Sequence, residues 1–288
     1  MGRIVYCNGA FLPEEEARIG IFDRGFLFGD AIYEVTAVIA GRPIDDDLHL
    51  DRLERSLAAL AIPMPVPRAE MERIQAELMA RNGLKEGTIY LQVSRGEADR
   101  DFLYPEGLAP NFIAFTQARK LTDTPAQRDG IAVAVAQDLR WARRDIKTAM
   151  LLAQVLAKRQ ARADGFDDVW MVEDGLVTEG SSSTAFIVTA DGRVMTRPNS
   201  RSTLPGCTRK AVLRLCENHD LDLDERAFSP RDAQAAVEAF VTSASSFVMP
   251  VIRIGDVAIG DGRPGPMTRR LQAYYLEAAL GAGPVSPL

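Results

Sequence analysis

Arg144-Asp145-Ile146-Lys147-Thr148-Ala149-Met150-Leu151-Leu152 and, further on, Val177-Thr178-Glu179-Gly180-Ser181-Ser182-Ser183 decide how this chain is read. The first stretch sets a lone lysine between a charged run and an apolar one. The second sets an acid in a turn between β-rich runs. An amine held near a core is favoured in its neutral, nucleophilic form, and a carboxylate at the edge of an ordered element can hold a proton on a partner nitrogen. Each has a plainer reading, Lys147 as a solvated helix-start lysine and Glu179 as a turn acid facing water. The apolar run after Lys147 predicts a helix over 147–163, with strands at 168–172 and 184–188 around the Glu173-Asp174-Gly175 turn.

Working outward towards the N-terminus, 4–6 reads as a strand before the Asn8-Gly9 turn, and 31–39 as a strand ending at Gly41-Arg42-Pro43. Amphipathic helices are predicted over 49–60 and 68–82, the second stopped by Gly83, and β-rich runs at 88–94 and 111–116 complete an antiparallel sheet for them to pack on. This is an N-terminal α+β lobe, 1–118. Apolar periodicity then fails, and 119–129 has the Thr, Pro, Gln and charged composition of a linker. The remainder, 130–288, mixes a strand at 131–135, a helix over 208–218, a strand at 239–242 and a hairpin at 251–257 too irregularly for repeated βαβ units.

A chain of 288 residues exceeds the usual single-domain size, which favours two lobes. Its apolar fraction of 47% and charged fraction of 26% are those of a globular protein, and no apolar run reaches the length of a membrane span. The opening Met1-Gly2-Arg3-Ile4-Val5-Tyr6 lacks a signal-peptide core, so a cytoplasmic location is expected. A net charge of -6 with scattered arginines offers no footprint for nucleic acid. Cys7, Cys207 and Cys216 cannot form a closed disulfide set and have no zinc-ligand spacing with His49 or His219, so no metal is expected and the thiols read as buried or half-buried.

Further segments carry weaker signals. Leu204-Pro205-Gly206-Cys207-Thr208-Arg209 reads as a turn feeding a helix, with Thr208 a cap candidate; such a start is either a plain cap or a phosphate site. Thr242-Ser243-Ala244-Ser245-Ser246 could add amides and hydroxyls to the same anion, or be only a polar loop. In His49-Leu50-Asp51-Arg52-Leu53, Arg52 could meet a phosphate or pair at the surface with Asp51 or Glu54. Tyr33 and Glu34 alternate in a strand, so one of them faces away from the other's side, and nothing local says which.

The order of these motifs changes their weight. Phe28-Gly29-Asp30-Ala31-Ile32-Tyr33-Glu34, His49-Leu50-Asp51-Arg52, Arg144-Asp145-Ile146-Lys147, Thr178-Glu179-Gly180-Ser181-Ser182-Ser183 and Pro205-Gly206-Cys207-Thr208-Arg209 follow one another as in the fold-type IV pyridoxal-phosphate enzymes, and the chain resembles that family over nearly its whole length. Within it, the resemblance is to the D-amino-acid and branched-chain aminotransferases, and most to the former. It implies a two-lobe α+β and α/β fold, with a small N-terminal α+β lobe and a larger C-terminal mixed, β-barrel-like lobe with helices. It also implies pyridoxal 5'-phosphate as cofactor, bound to Lys147 as a Schiff base, with Glu179 on the pyridine nitrogen and Leu204 against the ring. Arg52, Cys207, Thr208, Ser243 and Ala244 are implied as the phosphate cup, Cys207 and Ala244 through backbone amides. Tyr33 is implied at the substrate.

In the D-amino-acid aminotransferases that the chain resembles, an Arg-x-His pair on a loop from the neighbouring subunit binds the substrate α-carboxylate. Here Val93-Ser94-Arg95-Gly96-Glu97-Ala98-Asp99-Arg100-Asp101-Phe102 keeps the arginine as Arg100 and replaces the histidine with Phe102. A guanidinium alone still clasps a carboxylate, so transfer between a D-amino acid and a 2-oxo acid is expected, by a homodimer. The apolar Phe102 keeps open an (R)-selective amine transaminase, a branched-chain L-amino-acid transaminase or an aminodeoxychorismate lyase. A two-lobe binding protein with a structural Lys147 is the reading from another class.

Overall fold

The computed structural model describes residues 2–281, so the last stretch of the range 130–288 lies outside the described residues. The described residues form two compact units, one of residues 2–121 with 146–151, the other of 122–145 with 152–281.

The first unit contains β1 (Ile4–Cys7), β2 (Ala10–Pro13), α1 (Arg24–Phe28), β3 (Ala31–Ile39), β4 (Arg42–Pro43), α2 (Asp46–Ala59), α3 (Arg68–Arg81), β5 (Gly87–Ser94) and β6 (Asn111–Ala118). Its six strands form an antiparallel sheet in the order β2-β1-β6-β5-β3-β4. Period-two alternation assigns the faces: Ile32, Val38, Ile89, Leu91 and Val93 are buried in one core with Leu50, Leu53 and Leu57 of α2 and Met71, Ile74 and Leu78 of α3. The helical residues recur every three or four positions, as burial of one stripe requires. Glu34 shares the buried parity with Ile32, so it is enclosed while Tyr33 is half-buried on the opposite face.

The segment around Lys147 departs from the expected helix over 147–163, which starts only at Leu152. Thr148 instead bridges Ile32, the Tyr33 N–H donates to the Lys147 carbonyl at 3.1 Å, and the Ala149 N–H donates to the Ala31 carbonyl at 2.9 Å. β4 covers only Val38 and Ile39 of β3, so the start of that strand has an open edge, and pairing there outweighs the local helix preference of the apolar run. Gly29 caps α1 with a left-handed φ of 69°, which favours glycine, and a Cβ there would lie 2.4 Å from Met150 Cγ, so a larger residue would also have to displace the Met150 side chain.

The second unit contains α4 (Pro125–Asp129), β7 (Ile131–Gln137), α5 (Leu152–Ala163), β8 (Asp168–Glu173), β9 (Leu176–Gly180), β10 (Thr184–Val188), β11 (Val194–Thr196), α6 (Cys207–Asn218), β12 (Leu223–Glu225), α7 (Pro230–Gln234), β13 (Glu238–Ser243), β14 (Phe247–Ile254), β15 (Val257–Ala258) and α8 (Pro266–Leu280). Nine strands form one mixed sheet in the order β12-β11-β10-β13-β14-β7-β8-β9, with β15 beside β14. The pairs β7–β8, β7–β14 and β11–β12 are parallel. α4 lies within the stretch that composition reads as linker, where Thr124 and Gln127 form a capping box around Pro125, a local signal that linker composition concealed. All three cysteines are buried and unpaired. Among the described residues no helix is long and apolar enough to cross a membrane.

Candidate active site

In the first unit, Lys147 is half-buried and its Nζ lies 4.2 Å from the centroid of the Tyr33 ring. The backbone pairing of 147–149 with β3 fixes this neighbourhood whatever the lysine side chain does.

Arg52 is buried, and its carboxylate partner lies on β3. Its Nε donates to Glu34 Oε1 and one terminal nitrogen to Glu34 Oε2, each at 2.7 Å, while His49 Nδ1 lies 2.8 Å from Oε2. The parallel two-point contact holds the guanidinium in one orientation. Burial pushes the Glu34 carboxyl up, but Arg52 and the His49 hydrogen bond outweigh it and hold it well below the usual carboxylate range. Glu34 and His49 are partners of Arg52 that neighbouring residues in sequence do not reveal.

Arg100 and Phe102 lie in the loop between β5 and β6. Arg100 is exposed, with its guanidinium 5.4 Å from the Phe28 ring and 5.8 Å from the Phe102 ring. Phe102 is 80% exposed, so its side chain makes little of this unit's core. The loop backbone is nevertheless tied down. Buried Arg24 donates to the carbonyl of Asp101 at 2.7 Å and to Asp30 at 3.1 Å, and Arg95 grips the same Asp30 through two bonds of 2.7 and 3.0 Å. Arg95 also lies 3.8 Å from the Tyr104 ring centroid.

In the second unit, Glu179 is the last residue but one of β9, a strand position where the sequence suggests a turn, and is buried. The Leu204 N–H donates to its Oε2 at 3.1 Å, which brings together two residues far apart in sequence, and Arg140 forms a short ion pair with its Oε1. Burial pushes the Glu179 carboxyl up from its ordinary value, against the opposing pull of Arg140 and the Leu204 amide. The Glu179 to Arg140 contact joins β9 to the loop after β7, and no periodicity in either stretch announces it.

The start of α6 is an uncapped helix N-terminus. Gly206 occupies the cap position with no side-chain cap bond, and Thr208 is inside the first turn, so it is not the cap that its sequence context suggests. A Cβ on Gly206 would lie 2.8 Å from Thr184 Oγ1, so the helix start abuts β10, where Thr184 pairs with Thr242 of β13. The hydroxyls of Thr208 and Thr242 are buried and have no hydrogen-bond partner among the described residues. Orphaned buried hydroxyls cost free energy unless a ligand satisfies them, and free amides at a helix start favour an anion. Cys207 is the first residue of α6, and Ser243 and Ala244 continue from Thr242, the Ser243 hydroxyl lying 2.6 Å from that of Ser246. Among the described residues no cluster of three or more metal-capable side chains is present.

The first unit thus carries a lysine fixed by backbone pairing, and the second, taken by itself, a buried carboxylate held by an arginine and an anion-ready helix start. Residues 31–254 match the family model for amino-transferase class IV, and the chain belongs to that family. These are pyridoxal-phosphate enzymes, and the orphaned hydroxyls of Thr208 in the first turn of α6 and of Thr242, the strand partner of Thr184, fit the phosphate of that group. The chain is 37% identical to the D-alanine aminotransferase of Bacillus licheniformis, over 96% of this chain and 97% of that protein. It is 34% identical to the D-alanine aminotransferase of Staphylococcus haemolyticus, over 94% and 96%. Its fold is similar to that of the branched-chain aminotransferase from the archaeon Thermoproteus uzoniensis solved with norvaline, at a TM-score of 0.87, 24% identity and coverage of 98% and 96%.

Proposed function

We infer that this chain is a pyridoxal-phosphate-dependent aminotransferase that moves an amino group between a D-amino acid, such as D-alanine, and a 2-oxo acid, such as 2-oxoglutarate. Near-full-length similarity to D-alanine aminotransferases carries the substrate assignment. The bound cofactor supplies an electron sink for the charge that develops at the substrate's α-carbon. Lys147 Nζ, tethered by β3, takes the proton from that carbon. Glu179 faces the pyridine nitrogen, Leu204 packs against the ring, and Thr208, Cys207, Ser243, Ala244 and Arg52 hold the phosphate. Tyr33 borders the substrate. The division into an N-terminal lobe (1–118), a linker (119–129) and a cofactor lobe (130–288) belongs to the same reading.

Arg100 takes the substrate carboxylate, supported by its exposure and by a loop backbone anchored through Arg24 and Arg95. The enzyme acts as a cytoplasmic homodimer, a reading supported by apolar side chains left exposed on the first unit, Phe26 at 75%, Phe102 at 80% and Leu103 at 83%. Sedimentation at the mass of one chain would remove the dimer.

Steady-state rates with D-alanine, L-leucine and (R)-1-phenylethylamine test the substrate class; D-alanine should be preferred, and equal or better use of L-leucine sinks the assignment. Arg100→Ala should lower kcat/KM for D-alanine about 10- to 100-fold, as expected for a lost charge-assisted contact, and leave the carboxylate-free amine unaffected. Thr208→Val should weaken cofactor binding by about tenfold or more while leaving the unfolding midpoint unchanged, read by titrating the apoenzyme with pyridoxal phosphate.

A further inference from the structure

Glu179 does not stand alone in the second unit. Arg140, whose side chain is buried, bonds Glu179 Oε1 through one terminal nitrogen and Asp138 through two others, Nε to Oδ1 at 3.0 Å and the second terminal nitrogen to Oδ2 at 2.6 Å. Asp138 is itself fixed by the Thr178 hydroxyl at 2.6 Å and meets Arg144 at 3.4 Å, and Arg144 grips Glu173 through bonds of 2.7 and 2.8 Å. Charges therefore alternate along a mostly buried row: Glu179, Arg140, Asp138, Arg144, Glu173. The groups facing Glu179 within its unit are Arg140 and, behind it, Asp138.

A carboxylate offers about four acceptor positions. Arg140 and the Leu204 amide occupy one on each oxygen of Glu179, which leaves room for a third donor. A buried carboxyl without a cation would take up a proton, and would then donate to a ring nitrogen where an ionised one accepts from it. The proton count is the same in both cases; only its place along the hydrogen bond differs.

We propose that Arg140 is a positioning residue that keeps Glu179 ionised and aimed, so that the proton shared with the pyridine nitrogen of the cofactor resides on the ring. The inference rests on the assignment of Glu179 to that nitrogen. Asp138 serves by holding the guanidinium in the plane that reaches Glu179. The strength of the electron sink is thus set by a residue that touches neither cofactor nor substrate, since a protonated ring draws electrons more strongly than a neutral one.

The test is the 15N resonance of ring-labelled pyridoxal phosphate bound to the holoenzyme. Wild type and Arg140→Lys should show the protonated-pyridine position, and Arg140→Met should shift downfield to the unprotonated one while still binding cofactor through Lys147. If Arg140→Met does not fold, the paired replacement with Asp138→Asn, which leaves no member of the Arg140–Asp138 pair charged and alone, should show the same downfield shift. A protonated-pyridine resonance retained in whichever variant folds overturns the role of Arg140 and leaves the cofactor assignment standing. A wild-type protein that takes up no pyridoxal phosphate overturns the cofactor assignment itself.

Discussion

Lys147→Ala should abolish transamination, lowering kcat for D-alanine with 2-oxoglutarate by about 10,000-fold or more, the upper end of what a positioned proton-transfer group supplies. It should also remove the visible absorbance that the purified enzyme gains from lysine-bound pyridoxal phosphate. The loss should be chemical and not structural. What holds this segment is the backbone: the Lys147 carbonyl accepts from Tyr33, the Ala149 N–H donates to Ala31, and Thr148 bridges Ile32. None of these uses the lysine side chain, whose described neighbour is the Tyr33 ring at 4.2 Å. The variant should therefore keep the wild-type far-ultraviolet circular dichroism and unfolding midpoint. Retained activity, or a collapse of the fold, would contradict the role given to Lys147.

The second large effect is on stability. Replacing Glu34 with alanine should lower the unfolding free energy by about 3–5 kcal/mol, because it takes the two-point carboxylate partner from the buried Arg52 charge and one hydrogen-bond partner from His49. Urea unfolding followed by fluorescence reads this as a lower midpoint. Cofactor affinity should fall with it if Arg52 contacts the phosphate, since the guanidinium is then free to turn. The pH dependence has a definite sign. The folded carboxyl titrates below its unfolded value, so its contribution is fully present above the unfolded value near 4.5 and drains away as the solution is acidified towards the folded one. The stability gap between wild type and Glu34→Gln should accordingly narrow as the pH falls below about 4. A gap that widens in acid would contradict the pairing.

Much of the first unit was legible from periodicity. The helix stripes of Leu50, Leu53 and Leu57 and of Met71, Ile74 and Leu78 lie where three-and-four spacing puts them, and the strands alternate as period two requires. The five motifs in order carry the family. By contrast, the helix over 147–163 is a case where a local rule lost to a distant strand edge, and Arg52, which its local sequence left between a phosphate and a surface pair, meets a buried carboxylate on β3. Thr208 reads locally as a cap, yet Gly206 takes that position and leaves the threonine hydroxyl inside the first turn.

The sequence by itself determined the class of enzyme and its cofactor, through five short motifs in order, because such motifs depend on which side chains are present and on short-range spacing. Only the tertiary structure decided which charges are buried and with whom: Arg52 with Glu34 and His49, Glu179 with Arg140 and the Leu204 amide, Lys147 beside Tyr33. The physical reason is that a charged side chain enters a protein interior only when a partner from another element meets it there, and that meeting is a property of strand order and register.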